Sequence, residues 1–216
     1  MLKMAITKGR VERSFCNLLQ NAGYDIEPII NKDRKLLIKT NDNLEIVFAK
    51  SKDVLKFVNE GITDIGIVGK DTLLESDNNN YEELLDLETG KCKFCLAAKP
   101  SYKTNSIKRK KKIATKYPKI AKEFFNKKQE DIEIVKLDGS VELGPIIGMA
   151  DAIVDIVETG NTLKANGLEI IEDVCNISTR LIANKSSIES KDTEVNKIFN
   201  DLRKAKNKLN EYECVW

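Results

Sequence analysis

Apolar residues follow two rhythms along this 216-residue chain. In the first they recur every three or four positions, as on one face of a helix. Val11 to Asn21 carries Phe15, Leu18 and Leu19 in this way, and Asp53 to Asn59 carries Val54, Leu55 and Val58 before Gly61. Ile120 to Lys127 is a third helix of this kind. The last, Asp192 to Leu209, places Val195, Ile198, Phe199, Leu202 and Ala205 on one stripe, which is expected to pack back onto the first part of the chain. In the second rhythm, short apolar runs stand between turn residues and predict strands: Met4 to Ile6, Lys35 to Lys39, Leu44 to Phe48, Ile65 to Val68, Cys92 to Ala98, Lys112 to Thr115, and Ile132 to Leu137. Thr40-Asn41-Asp42-Asn43 joins two of them as a hairpin, and Asp77 to Asn80 reads as a loop. Ala152 to Val157 predicts a strand buried on both faces. Strands alternating with helices define the α/β class.

One pattern occurs twice. Gly61-Ile62-Thr63-Asp64 and Gly148-Met149-Ala150-Asp151 each lead from a helix-ending glycine, through an aspartate, into a buried strand. Each strand then runs into a glycine-containing turn, Gly69-Lys70-Asp71 in one case and Glu158-Thr159-Gly160 in the other. The echo predicts two related α/β lobes.

Composition narrows the classes. With 41% hydrophobic and 32% charged residues, the chain reads as an ordinary globular protein, long enough for one large or two small domains. Its 36 basic and 34 acidic residues leave a formal charge of +2, so no global field selects nucleic acid. The basic run from Lys108 to Lys112 lacks interleaved aromatics and reads as a solvated edge before a strand. No apolar run reaches membrane-spanning length, and Met1 to Arg10 lacks the apolar core of a signal peptide. The expected location is therefore cytoplasmic, with neither membrane nor nucleic acid as partner. Cys92 and Cys95 have metal-site spacing, but there is no second such pair and no histidine anywhere. On a strand they would point to opposite faces, a structural reading. The absence of histidine also excludes Ser/His and Cys/His nucleophilic machinery.

The turn after Ala152 to Val157 carries the clearest chemistry. Bulky residues give way to Glu158-Thr159-Gly160-Asn161-Thr162, and a short helical segment closed by Gly167 follows. Backbone N–H groups and hydroxyls there suit a phosphate. Asp155 and Glu158 would repel a bare phosphate, so a metal ion or ribose hydroxyls are expected between. Further candidates are Lys8-Gly9-Arg10 after the first strand, Arg34 and Lys50 beside the next two, Gly69-Lys70-Asp71, and Ser140 with Glu142 in a turn before a helical segment. Cations thus gather in one lobe, and acids with an anion-binding turn in the other. That division suits a transfer in which a metal-bound diphosphate leaves a sugar phosphate.

Four segments carry a family resemblance: Ala5 to Arg10, Asp64 to Asp71, Lys112 to Pro118, and Asp151 to Leu168, extended by Ile177 to Asn184. Together they resemble the ATP phosphoribosyltransferase family, which starts histidine biosynthesis. The resemblance implies two lobes like those of type II periplasmic binding proteins with the active site in the interlobe cleft. Lobe I would comprise residues 1–89 with 178–216, on the nucleotide, diphosphate and dimerisation side, and lobe II residues 90–177, with the phosphoribosyl diphosphate loop. It implies attack of adenine N1 of ATP on C1 of phosphoribosyl diphosphate, with Mg²⁺ as cofactor. Site residues carry over by position. Thr159, Gly160, Asn161 and Thr162 fall on the 5-phosphate, Glu142, Asp155 and Glu158 on the ribose side, and Asp155 and Glu158 on Mg²⁺. Lys8, Arg10, Arg34 and Lys50 fall on the catalytic cationic positions, and Gly69, Lys70 and Asp71 on ATP. Three residues depart from the pattern: Thr7 replaces a proline, Lys50 an arginine, and Leu55 a proline. The length resembles the short form, which implies a homodimer assembling with a regulatory subunit resembling histidyl-tRNA synthetase. Two rival readings stay open on the residues alone, a solute-binding or sensor module and a phosphoribosyltransferase for another base.

Overall fold

A computed structural model describes residues 1–77, 80–103 and 109–213. Asn78 and Asn79 of the expected loop, Lys108 of the basic run, and Cys214 lie outside them. The elements are, in order, β1 (Leu2–Thr7), α1 (Arg10–Asn21), α2 (Glu27–Ile30), β2 (Leu37–Lys39), β3 (Leu44–Ala49), α3 (Ser51–Asn59), β4 (Ile65–Gly69), α4 (Lys70–Leu74), β5 (Tyr81–Asp86) and β6 (Cys92–Ala98). A short 3-10 turn at Pro100–Lys103 precedes β7 (Lys111–Thr115), α5 (Pro118–Lys127), β8 (Ile132–Lys136), α6 (Leu143–Ile146), β9 (Ala152–Val157) and α7 (Asn161–Ala165). The chain ends in β10 (Glu169–Ile177), β11 (Thr179–Asn184), α8 (Lys185–Ser190) and α9 (Asp192–Glu213). Among the described residues no helix is long and apolar enough to cross a membrane.

The chain divides into two compact units. Unit 1 takes Met1–Gly90 and the chain from Ser178 onward, and unit 2 takes Lys91–Ile177. Unit 1 holds a six-stranded sheet in the order β2-β3-β1-β4-β11-β5. β1 runs parallel to β3 and β4, while β2, β11 and β5 are antiparallel to their neighbours. Alternate residues of β1 and β4 serve opposite faces. Met4, Ile6, Ile65 and Ile67 pack with Phe15, Leu18 and Leu19 of α1 and Ile198 and Leu202 of α9. Ala5 and Val68 pack instead with Val54, Leu55 and Val58 of α3. A sheet covered on both faces has no polar side, which is why these strands read as continuous apolar runs. The stripe on the last helix lands on unit 1 as expected.

Unit 2 holds five strands in the order β10-β6-β9-β7-β8. β7 is parallel to β8 and β9, while β6 is antiparallel to β9 and to β10. With β1, β3, β4, β11 and β5 matched to β7, β8, β9, β6 and β10, the two sheets have one topology. The repeated sequence pattern sits at corresponding points of both. Asp64 N–H donates to Lys3 O at 2.9 Å, and Lys3 N–H donates to Asp64 Oδ2 at 2.8 Å. Asp151 N–H donates to Lys112 O at 2.8 Å, and Lys112 N–H donates to Asp151 Oδ2 at 2.7 Å. In each unit the aspartate clamps the start of one strand onto the start of its parallel neighbour.

Two edge strands, β5 and β10, carry no period in the sequence. β5 is mostly half-buried along its length, and β10 has two register shifts, between Ile170 and Glu172 and between Asp173 and Cys175. Each bulge moves the following side chains to the other face and breaks the alternation. The strand expected from Lys35 begins instead at Leu37, because a turn closed by Lys35 N–H on Lys32 O occupies the preceding residues.

Candidate active site

In unit 2 the carboxyl ends of the parallel strands β7 and β9 lie side by side, the usual place for a ligand in such sheets. β9 delivers Asp155, partly buried, and then the Glu158 to Thr162 turn. Gly160 takes φ 76°, a left-handed conformation that glycine reaches without a Cβ penalty, and α7 starts at the next residue. Asn161 N–H donates to Thr159 Oγ1 at 3.4 Å, which closes the turn. Glu158, Thr159, Asn161 and Thr162 are exposed, and Leu163 anchors the turn in the core.

Glu142 joins this site from the segment after β8. Ser140 adopts a positive φ of 46°, and Val141 is buried, which places Glu142 at the N-terminal end of α6. Burial pushes the Asp155 carboxyl up to about 6, and the charge of Glu142 adds to the rise. The Ile156 N–H and the Lys116 ammonium act the other way. Two carboxylates and one ammonium therefore share the ground beside the turn. Lys116 lies in the Lys112 to Pro118 segment, yet no spacing in the sequence marks it as part of the site. The only signal is the place of this segment at the end of a parallel strand.

In unit 1 the corresponding edge is cationic. β1 ends in Thr7, buried with its hydroxyl unpartnered among the described residues, and exposed Lys8 follows. Lys8 N–H donates to Ala49 O at 3.0 Å, which ties the turn to the end of β3, where exposed Lys50 stands. Gly9 caps α1, whose first residue is Arg10. Arg34 is exposed just before β2, and Phe48 N–H donates to Leu36 O at 2.8 Å, so Arg34 belongs to the edge where β3 ends. The structure thus gathers Lys8, Arg10, Arg34 and Lys50 along one edge of one sheet. Gly69, Lys70 and Asp71 stand at the end of β4, but the Lys70 ammonium is 2.5 Å from Glu83 on β5. Lys70 therefore reaches an incoming ligand only in competition with that carboxylate.

The described part of the basic run, Arg109 to Lys112, is paired with carboxylates. Arg109 makes two 2.9 Å hydrogen bonds to Asp151, and Lys110, Lys111 and Lys112 pair with Asp131, Glu130 and Glu133 at 2.5, 2.6 and 3.3 Å. Cys95 is buried, and its thiol, pushed up to about 12 by burial and by Asp173, donates to Asp173 Oδ1 at 3.4 Å. Among the described residues no cluster of three or more His, Cys, Asp or Glu is arranged to hold a metal. The donors at the end of β9 fit a different arrangement. One or two carboxylates suffice for a hard cation that keeps its waters and shares the oxygens of a phosphorylated substrate.

Comparisons with known proteins agree with this topology. The periplasmic aliphatic sulphonate binding protein SsuA from Escherichia coli superposes with a TM-score of 0.62 at 12% identity, covering 98% of this chain and 74% of that one. Such a likeness shows the fold alone. Fold and site together define a two-unit α/β protein of the periplasmic-binding-protein type, with a glycine turn and carboxylates at the ends of its parallel strands. The profile of HisG, described as ATP phosphoribosyltransferase, matches residues 50–204. The ATP phosphoribosyltransferase of Lactococcus lactis subsp. cremoris is 52% identical over 95% of this chain and 99% of its own. That of Clostridium botulinum strain ATCC 19397 is 50% identical over 93% and 96%. A chain from the ATP phosphoribosyl transferase (HisG:HisZ) complex of Thermotoga maritima superposes with a TM-score of 0.79 at 32% identity, covering 96% of this chain and 99% of that one. The chain belongs to the ATP phosphoribosyltransferase family, in its short form, and is a pentosyltransferase of the first step of histidine biosynthesis. Enzymes of this family generally depend on a metal ion.

Proposed function

We propose that unit 2 holds phosphoribosyl diphosphate at the ends of β7 and β9, and that the cationic edge of unit 1 serves the ATP. The observation that carries this reading is the placement of Asp155 and Glu142 beside the Gly160 turn on one sheet edge. N–H groups and hydroxyls from Thr159 to Thr162 hold the 5-phosphate. Asp155, Glu142 and Glu158 face the ribose hydroxyls, and Asp155 and Glu158 would hold Mg²⁺. Bound Mg²⁺ supplies positive charge against the diphosphate.

The adenine N1 lone pair of ATP forms a bond to C1 of the ribose, and the C1–O bond breaks with its electron pair leaving on diphosphate. N1 is unprotonated near neutral pH, so no base is needed, in keeping with a chain of 0 histidines. Rate acceleration then rests on positioning and on charge stabilisation at the ribosyl centre and the leaving group. Lys8, Arg10, Arg34 and Lys50 neutralise the polyphosphate, and the Gly69 to Asp71 turn meets the nucleotide. Lys50 is a point charge where the resemblance expects a bidentate arginine, which gives a weaker phosphate contact. The protein works in the cytoplasm as a homodimer that assembles with a HisZ-type regulatory subunit, the partner named in the Thermotoga complex.

The test mixes the purified protein with ATP, phosphoribosyl diphosphate and Mg²⁺, with and without the regulatory subunit, and follows phosphoribosyl-ATP by its absorbance. Product formation, strongest with the subunit present, is expected. No product in either mixture would refute the assignment.

A further inference from the structure

Lys116 has no part in the roles assigned above, and its setting singles it out. The four described cations just before or at the start of β7, Arg109 to Lys112, are all paired with carboxylates. At the other end of the same strand, Lys116 is exposed and makes no ion pair with any described residue. The backbone on either side of it is pinned. Thr115 is fully buried, and its hydroxyl donates to Val154 O at 2.6 Å while accepting from Tyr117 N–H at 2.9 Å. The Tyr117 ring stands edge-on to Phe94 at 4.8 Å between centroids, and Pro118 then opens α5. The Thr115–Val154 bond carries the Ala114–Ile153 register forward, so Lys116 emerges beside Asp155 on a strand roughly 4.8 Å away.

We propose that Lys116 is the cation by which the donor-binding unit itself engages the diphosphate of phosphoribosyl diphosphate. The proposal rests on the reading of this sheet edge as the donor site. Even with Mg²⁺ bound, the carboxylates beside the turn and the diphosphate leave an excess of negative charge, which a flexible ammonium one strand over offsets. As the C1–O bond breaks, charge accumulates on the departing oxygen, and a cation already in place lowers the cost. The ammonium is a compact point charge on a flexible stem, so it can follow the diphosphate as it separates.

Binding of inorganic diphosphate and of phosphoribosyl diphosphate, each with Mg²⁺, is measured by calorimetry on the full chain, alongside kcat and both KM values of the complex with its regulatory subunit. For K116Q we expect both affinities to fall about tenfold and kcat to fall, with KM for ATP unchanged. K116R should recover most of the binding. Wild-type protein that binds both ligands while K116Q binds them equally well would overturn the role of Lys116 and leave the donor site standing. Wild-type protein that binds neither would overturn the donor site and Lys116 with it. Loss of ATP affinity in step with diphosphate affinity would show a general disturbance and also overturn the proposal.

Discussion

Burial pushes the Asp64 carboxyl upward, but the Lys191 ammonium at 2.8 Å, the Lys3 N–H and the Ser187 hydroxyl outweigh it and hold it below its ordinary 3.8. A carboxylate with a depressed folded pKa stabilises the fold above its unfolded value and loses that contribution as pH falls through the folded one. Asp64→Asn should therefore cost about 2 kcal/mol at neutral pH, since a charged acceptor with three donors is lost. It should also flatten the decline in stability below pH 3.8. Urea titrations of both proteins at neutral and acid pH check this, and parallel acid limbs would count against it. Asp155 has the opposite character from the same residue type. Burial dominates there, and the charge of Glu142 adds to the rise. One aspartate is a structural clamp held ionised by its donors and the other is held up by burial, a distinction made by neighbours far off in sequence.

At the scale of elements, α6 shows how packing delivers a site residue. It is four residues long, and a Cβ on its Gly144 would lie 2.7 Å from the Ala114 Cβ on β7. The Ala114 methyl is not the far end of a flexible side chain, so Gly144→Ala should lift α6 from the sheet, at a cost of about 1–3 kcal/mol. Because Glu142 leads into α6, affinity for phosphoribosyl diphosphate should fall as well. Thermal melts and calorimetry on the variant check both effects, and unchanged values in both would mean the contact is loose. Among the strands, legibility followed local sequence period more than burial: the edge strands β2 and β8 were readable, and the buried central strand β11 was marked only by the resemblance over Ile177 to Asn184. β1, β4 and β9 are buried through most of their length, and their apolar runs were readable. β5 and β10 lie at edges, and the bulges of β10 erase its period, so neither was found. The turn at Glu158 to Thr162 was legible because glycine and hydroxyl residues abruptly replace bulk at the end of a buried strand. Lys116 was not, because an isolated lysine after a strand looks like any solvated one.

Across the whole molecule, two cores of one topology are made from separate stretches of chain, and unit 1 is completed only by the last helix. Ile198 and Leu202 of α9 are buried against Phe15, Leu18 and the β1 and β4 side chains. Leu202→Ala should cost roughly 2–5 kcal/mol by the cavity it leaves. Hydrogen exchange should then accelerate in β1 and β4 of unit 1 while β7 and β9 of unit 2 keep their protection. Equal acceleration in both would show that the units share one cooperative core.

The sequence by itself determined the α/β alternation, the repeated Gly–Asp–strand pattern, the phosphate-type turn, and the motifs that mark the family. All of these are local, since a strand, a helix or a turn is written in residues within a few positions of one another. Only the tertiary structure decided that Asp64 and Asp151 clamp parallel strands, that Glu83 holds Lys70, and that carboxylates neutralise Arg109 to Lys112. It alone set Lys116 beside Asp155. Such pairings join residues tens of positions apart, and charges acquire their partners only when the chain has brought its strands together.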